Sequence, residues 1–184
     1  MRPTNLTSPA RTEASLPRSR TLPFWGAALL VIVVDQITKT IVRESLARGE
    51  SWPAADWPVR IRYVTNTGAA FGILEDQTIF LIVMAFIGLA AIYLYYRYPP
   101  FDHFVVPVAI GMMLGGAMGN LLDRVRLGEV TDLVDFPSYP AFNVADSSIT
   151  IGITIIITGY LLLAPRASPN QKDSAAHEDA GADG

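Results

Sequence analysis

Apolar residues in this chain run in four long stretches, at about 24–42, 77–98, 104–122 and 142–164. Each is long enough, or nearly so, to cross about 30 Å of hydrocarbon. None shows the period-two alternation of a half-buried strand, so each predicts a membrane helix. Gly88, Gly111, Gly115, Gly116 and Gly119 suit close helix contact in lipid, where small residues let backbones approach. One short segment breaks the pattern: Val59-Arg60-Ile61-Arg62-Tyr63-Val64 alternates as a strand does. The expected architecture is an all-α membrane bundle of four helices over 22–165, with extracytoplasmic loops 43–76 and 123–141. The 43–76 segment is expected to form a small strand-containing cap. Residues 1–21 and 166–184 are rich in Pro, Ser, Ala and charge, and predict two disordered cytoplasmic tails. The first apolar run follows Arg18 and Arg20 but leads into Asp35-Gln36-Ile37-Thr38-Lys39 without a small-x-small cleavage site, which predicts a retained first span. No repeat of 20–50 residues is visible, which argues against an inverted-repeat transporter.

Composition supports the membrane reading. Of 184 residues 51% are hydrophobic and only 17% charged, with a mean hydropathy of +0.32, whereas soluble domains carry about 25% charged residues. A net charge of -3 without a basic stripe argues against nucleic acid as a partner. Cysteine is absent and histidine occurs only twice, so disulfides, thiolate sites, a cysteine nucleophile and a histidine-rich metal site are excluded. No metal or other cofactor is expected. With the N-terminus inside, Arg2, Arg11, Arg18, Arg20, Arg97, Arg166 and Lys172 lie on the cytoplasmic side, and Arg43, Arg48, Arg60, Arg62, Arg124 and Arg126 on the other. That near balance decides nothing; the arginines just before the first span favour cytoplasmic termini.

Alternating spans bring the intramembrane charges to one face. Asp35 and Lys39 fall late in span one, Asn120, Asp123 and Arg124 at the end of span three, and Asp146 one turn into span four. Ionisable groups in lipid are costly and normally face a bundle interior or an aqueous cavity. Asp35 and Lys39, four residues apart, could simply form an internal ion pair. Asp123 beside Arg124 reads as a helix-end salt bridge, and Asp132 and Asp135 read as loop carboxylates. Asp146 is harder to dismiss, because it follows Phe142-Asn143-Val144-Ala145 and precedes a long apolar run. His103 and His177 fall on the opposite side, which removes Ser-His-Asp and zinc HExxH chemistry. Two nearby carboxylates in a partly dry site share one proton, so one can activate water while the other polarises a carbonyl. A serine nucleophile, Ser147 or Ser148, with Lys39 as base is the competing chemistry. A small transporter or proton-conducting protein using the same carboxylates is the alternative from another class. Residue pattern alone leaves Asp123, Asp132 and Asp135 open as the partner of Asp146.

Four motifs in order then point to a family. They are Asp35-Gln36-Ile37-Thr38-Lys39, Asn66-Thr67-Gly68-Ala69-Ala70-Phe71-Gly72, Gly115-Gly116-Ala117-Met118-Gly119-Asn120-Leu121-Leu122-Asp123-Arg124 and Pro140-Ala141-Phe142-Asn143-Val144-Ala145-Asp146-Ser147-Ser148. Together they resemble lipoprotein signal peptidase (signal peptidase II), over roughly 24–164. The resemblance implies an aspartic endopeptidase of the bacterial inner membrane that removes signal peptides from prolipoproteins, cutting before a diacylglyceryl-modified cysteine. It implies Asp132, in Gly128-Glu129-Val130-Thr131-Asp132, and Asp146 as the catalytic pair. Thr131 and Leu133 stand where many relatives carry Val and Phe. Asp35, Lys39, Asn66, Gly116, Asn120, Asp123, Arg124, Phe142, Asn143 and Ala145 become substrate-binding or supporting residues, with Arg124 expected to anchor Asp123. The expected partners are the lipidated prolipoprotein and membrane lipids, and a monomer suffices.

Overall fold

A computed structural model describes residues 18–53, 57–68, 77–99 and 103–163. Among them are four long helices: α1 (Arg18–Ser45), α2 (Thr78–Arg97), α3 (Val105–Leu127) and α4 (Val144–Leu163). All four are long and apolar enough to cross a membrane. Leu29, Leu30, Val33, Ile79, Val83, Ile87, Ile157 and Leu161 are exposed along them, as a lipid-facing surface requires. The segments 1–17 and 164–184, including most of both expected tails, lie outside the described residues.

α3 is the central element and touches the other three helices. The close approach is made by missing side chains. A Cβ on Gly111 would collide with the Phe24 carbonyl, one on Gly115 would come within 2.6 Å of the Ala28 carbonyl, and one on Gly119 within 2.6 Å of the Asp35 carboxylate. These three face α1, while a Cβ on Gly116 would strike the Ala145 carbonyl of α4. The expectation fails for Gly88, which among the described residues has nothing within 4 Å of an added Cβ. It lies on α2, of whose residues only Leu81 and Tyr96 are buried. At the end away from the acidic residues, Phe24 stacks on Tyr96 with 3.9 Å between ring centroids, and Val106 and Ile110 complete that cluster.

The extramembrane part is a four-stranded antiparallel sheet in the order β1 (Ser51–Trp52), β2 (Arg60–Asn66), β3 (Val130–Phe136), β4 (Tyr139–Phe142). It is larger than the expected cap, because the loop after α3 contributes half of its strands. Asp132 and Asp135 therefore sit on a strand rather than a loop. Val130, Thr131 and Val134 supply the β-branched positions that favour strand, and β2 provides the ladder. Two boundaries also differ from the hydropathy reading. α3 continues through Asp123 and Arg124 to Leu127, ending at the left-handed Gly128 with φ 79°. Phe142 ends β4 instead of opening α4, and its ring packs against Phe136 and Tyr139.

Replacing Gly116 with alanine should separate α3 from α4, since a backbone carbonyl cannot rotate aside as a side chain can. Overpacking of this kind costs about 1–3 kcal/mol. Thermal unfolding in detergent should show a lowered midpoint for Gly116→Ala and none for Gly88→Ala.

Candidate active site

Helix spacing places Asp35, Lys39 and Arg43 on one face of α1 at intervals of four. Lys39 is wholly buried, and its ammonium lies 2.9 Å from Asp35 Oδ2, 3.1 Å from Asp123 Oδ2 and 2.9 Å from Asn120 Oδ1. Three donors thus meet three acceptors from two helices. Asp123 turns away from Arg124. It accepts from Lys39, from Gln36 Nε2 at 3.2 Å and from the Thr131 amide at 3.1 Å, with the Arg43 guanidinium 3.8 Å away. The expected Asp123–Arg124 anchor is therefore wrong: adjacent helical residues do not face each other. Arg124 instead donates to the Gly68 carbonyl at 3.0 Å.

The start of α4 is fixed from both sides. Asn143 is its N-cap: the Asn143 side-chain oxygen accepts from the Asp146 amide at 2.9 Å, and Asp146 Oδ2 accepts from the Asn143 amide at 3.3 Å. That reciprocal pair is a capping box made with Asn and Asp. The buried Ala145 amide, one residue earlier, donates to Asp35 Oδ1 at 3.0 Å. Ala145 and Gly116 are small because α3 and α4 meet there.

Asp132 reaches this helix start from β3. Asn143 Nδ2 donates to Asp132 Oδ1 at 2.7 Å, and Asn66 Nδ2 donates to Asp132 Oδ2 at 3.2 Å. Asn120 Nδ2 donates to Asp146 Oδ1 at 2.7 Å. Asn143 thus holds both carboxylates, one through its side chain and one through its backbone. Asn66 is itself steadied by the Gly68 amide, which donates to its Oδ1 at 3.0 Å; the rest of that motif, 69–72, lies outside the described residues. Burial raises the Asp132 carboxyl to about 7, and the Asp146 charge adds to it; the Asn66 and Asn143 amides and the Lys39 charge work in the other direction.

The geometry separates the three candidates for a partner to Asp146. Asp123 is committed to Lys39 and Thr131, and Asp135 is ion-paired with Arg60. Asp132 alone shares an amide ligand with Asp146. Serine chemistry fares poorly, because Lys39 as an ammonium with three acceptors has no lone pair to offer. Ser147 and Ser148 donate to the Asn143 and Val144 carbonyls of their own helix at 3.0 and 2.8 Å. His103 precedes α3 at the opposite end of the bundle, beside Tyr96 and Arg20. Sequence reasoning assigned nothing to Gln36, Arg43 or Thr131. Arg43 was visible in the spacing of four from Lys39, whereas the role of Thr131 depends on where β3 lands.

Comparison with known proteins gives this arrangement a family. The model of the signal peptidase (SPase) II family, Peptidase_A8, matches residues 27–162. The lipoprotein signal peptidase of Moorella thermoacetica is 41% identical over 147 residues, covering 78% of this chain and 95% of the relative. That of Caldanaerobacter subterraneus subsp. tengcongensis is 43% identical over 135 residues, covering 72% and 90%. A bacterial membrane enzyme structure solved by the in meso method at 2.3 Å resolution superposes with a TM-score of 0.73 at 32% identity, over 80% of this chain and 93% of that one. The four membrane-crossing helices and the ordered motifs agree with these matches, and the chain belongs to the signal peptidase II family of bacterial membrane proteases.

Proposed function

We propose that this protein removes the signal peptide from diacylglyceryl-modified prolipoproteins, cutting just before the lipidated cysteine with water activated by Asp132 and Asp146. The observation that carries the reading is the shared Asn143, which holds both carboxylates where α4 meets the sheet. Two carboxylates in one buried site hold one proton between them. Burial favours the protonated form of Asp132 up to about pH 7, so Asp132 donates a hydrogen bond to the scissile carbonyl and Asp146 accepts a proton from the attacking water. Collapse of the tetrahedral intermediate returns that proton to the departing amine. No acyl-enzyme forms.

The location suits such a substrate. Both the signal helix and the acyl chains of a prolipoprotein lie in the bilayer, and the pair sits at the end of the spans next to the sheet. The arginines before α1 favour cytoplasmic termini and a site on the extracytoplasmic side. Asp132, Asp146 and the three asparagines that hold them are all supplied within a single chain, which is compatible with a working monomer. Asn66 donates to Asp132 and Arg124 donates to the Gly68 carbonyl beside it, which supports a role for both in meeting the substrate backbone.

Purified enzyme should cut a diacylglyceryl-modified prolipoprotein and leave the same precursor with an unmodified cysteine intact in a gel-shift assay. Asp132→Asn and Asp146→Asn should each lower turnover roughly 10²–10⁴-fold without loss of fold by circular dichroism; wild-type turnover in either variant would sink the mechanism. The pH dependence follows from the direction of the shift. A carboxyl raised to about 7 keeps its proton below that pH and loses it above, so kcat/KM should fall on the alkaline side with an apparent pKa of about 7. It should fall again in acid, where both carboxyls are protonated.

A further inference from the structure

The strand that carries Asp132 is supported unevenly. β2 pairs along its length, including Val64 with Asp132 and Thr65 with Thr131, whereas β4 reaches only Val134 and Phe136. The Asp132 end of β3 is therefore laddered on one edge alone. The missing support comes from Thr131, 1% exposed, whose side chain leaves the strand on the face opposite Asp132. All three of its polar groups are engaged, each by a different helix or cap. Its amide donates to Asp123 of α3 at 3.1 Å, its carbonyl accepts from Asn143 at 3.4 Å, and its hydroxyl accepts from Arg43 Nη1 of α1 at 3.1 Å.

Arg43 is prepared for that contact. Its Nη2 donates to Thr40 Oγ1 at 3.0 Å, one turn back on the same helix, which fixes the plane of the guanidinium. The neighbouring Asp123 carboxylate sets its position in the site. A valine at position 131 would fill the same space but offer no acceptor.

We propose that Arg43 and Thr131 act together as positioning residues, tying β3 to the end of α1 so that the Asp132 carboxylate is held in register with Asp146. The inference rests on the carboxylate-pair reading above. Neither residue touches the reacting atoms; both act through the backbone of β3. A positioning fault affects the chemical step more than substrate binding, because misplacement by a fraction of an ångström weakens reaction geometry.

The test is kinetics on lipidated prolipoprotein with Thr131→Val, Arg43→Met, the double variant, Thr131→Ser and Asp132→Asn, each checked for thermal stability. The expected result is a roughly tenfold fall in kcat at unchanged KM for Thr131→Val and for Arg43→Met. The double variant should be no slower than Arg43→Met alone, since Thr131→Val removes only a contact that Arg43→Met already removes, and Thr131→Ser should restore the rate to within about twofold because it keeps the hydroxyl. Wild-type kcat in Thr131→Val, an effect confined to KM, or effects that multiply in the double variant would overturn the proposal. Asp132→Asn separates the two failures. If it is inactive while Thr131→Val is normal, only the positioning role falls; if it keeps full activity, the carboxylate pair itself is wrong and the positioning role falls with it.

Discussion

A wholly buried ammonium must find an oxygen for each of its protons, and the way Lys39 does so organises this molecule. Its three acceptors come from Asp35, Asp123 and Asn120, so α1 and α3 are locked at one relative height. Removing one partner from such a set leaves an uncompensated buried charge, at a cost of about 3–5 kcal/mol. The same oxygen-bearing residues then reach outward. Asp35 receives the second amide of α4, Asp123 receives the Thr131 amide of β3, and Asn120 donates to Asp146. The ion network is thus a frame on which the two carboxylates of the proposed mechanism are hung, one on a helix start and one on a strand.

That frame is possible only because α3 is stripped of side chains where it meets its neighbours. Gly119 lets Asp35 approach, and Gly116 admits the Ala145 carbonyl, so the first turn of α4 comes within reach of both Asp35 and Asn120. Close backbone approach and polar pairing therefore reinforce each other, which matters in lipid, where helix association gains little from burying apolar surface. α2 stands apart from this arrangement. It packs on α3 with only Leu81 and Tyr96 buried, and Thr78 pins its start to the Gly128 carbonyl at 2.8 Å.

The helices and the charged face were legible in the sequence for different reasons. Long apolar runs announce spans by length alone, and alternate crossing then collects Asp35, Lys39, Asn120, Asp123 and Asp146 at one end. The sheet was half legible. β2 alternates, but β3 carries two aspartates among its apolar residues, one facing Asn143 and the other paired with Arg60, so it reads as a polar loop until its partners are known. The residue pattern alone leaves Asp132, Asp135 and Asp123 equivalent, because what separates them is pairing between segments far apart in sequence; only the family resemblance singles out Asp132. Gly88 shows the opposite error: its residue type matches that of Gly116, yet among the described residues nothing lies within 4 Å of an added Cβ. The Asp123–Arg124 pairing conflicts with helix geometry itself, since neighbouring residues on a helix point in different directions.

The central claim is that Asp132 and Asp146 are held as one coupled pair. Carboxyl-carbon NMR of aspartate-labelled protein in lipid nanodiscs, followed against pH, tests it most directly. The account predicts that the Asp132 signal titrates at about 7 and moves to lower pH in Asp146→Asn, where the like charge is gone but the burial remains. An Asp132 signal that titrates in the ordinary carboxylate range, unchanged by the loss of Asp146, would contradict it.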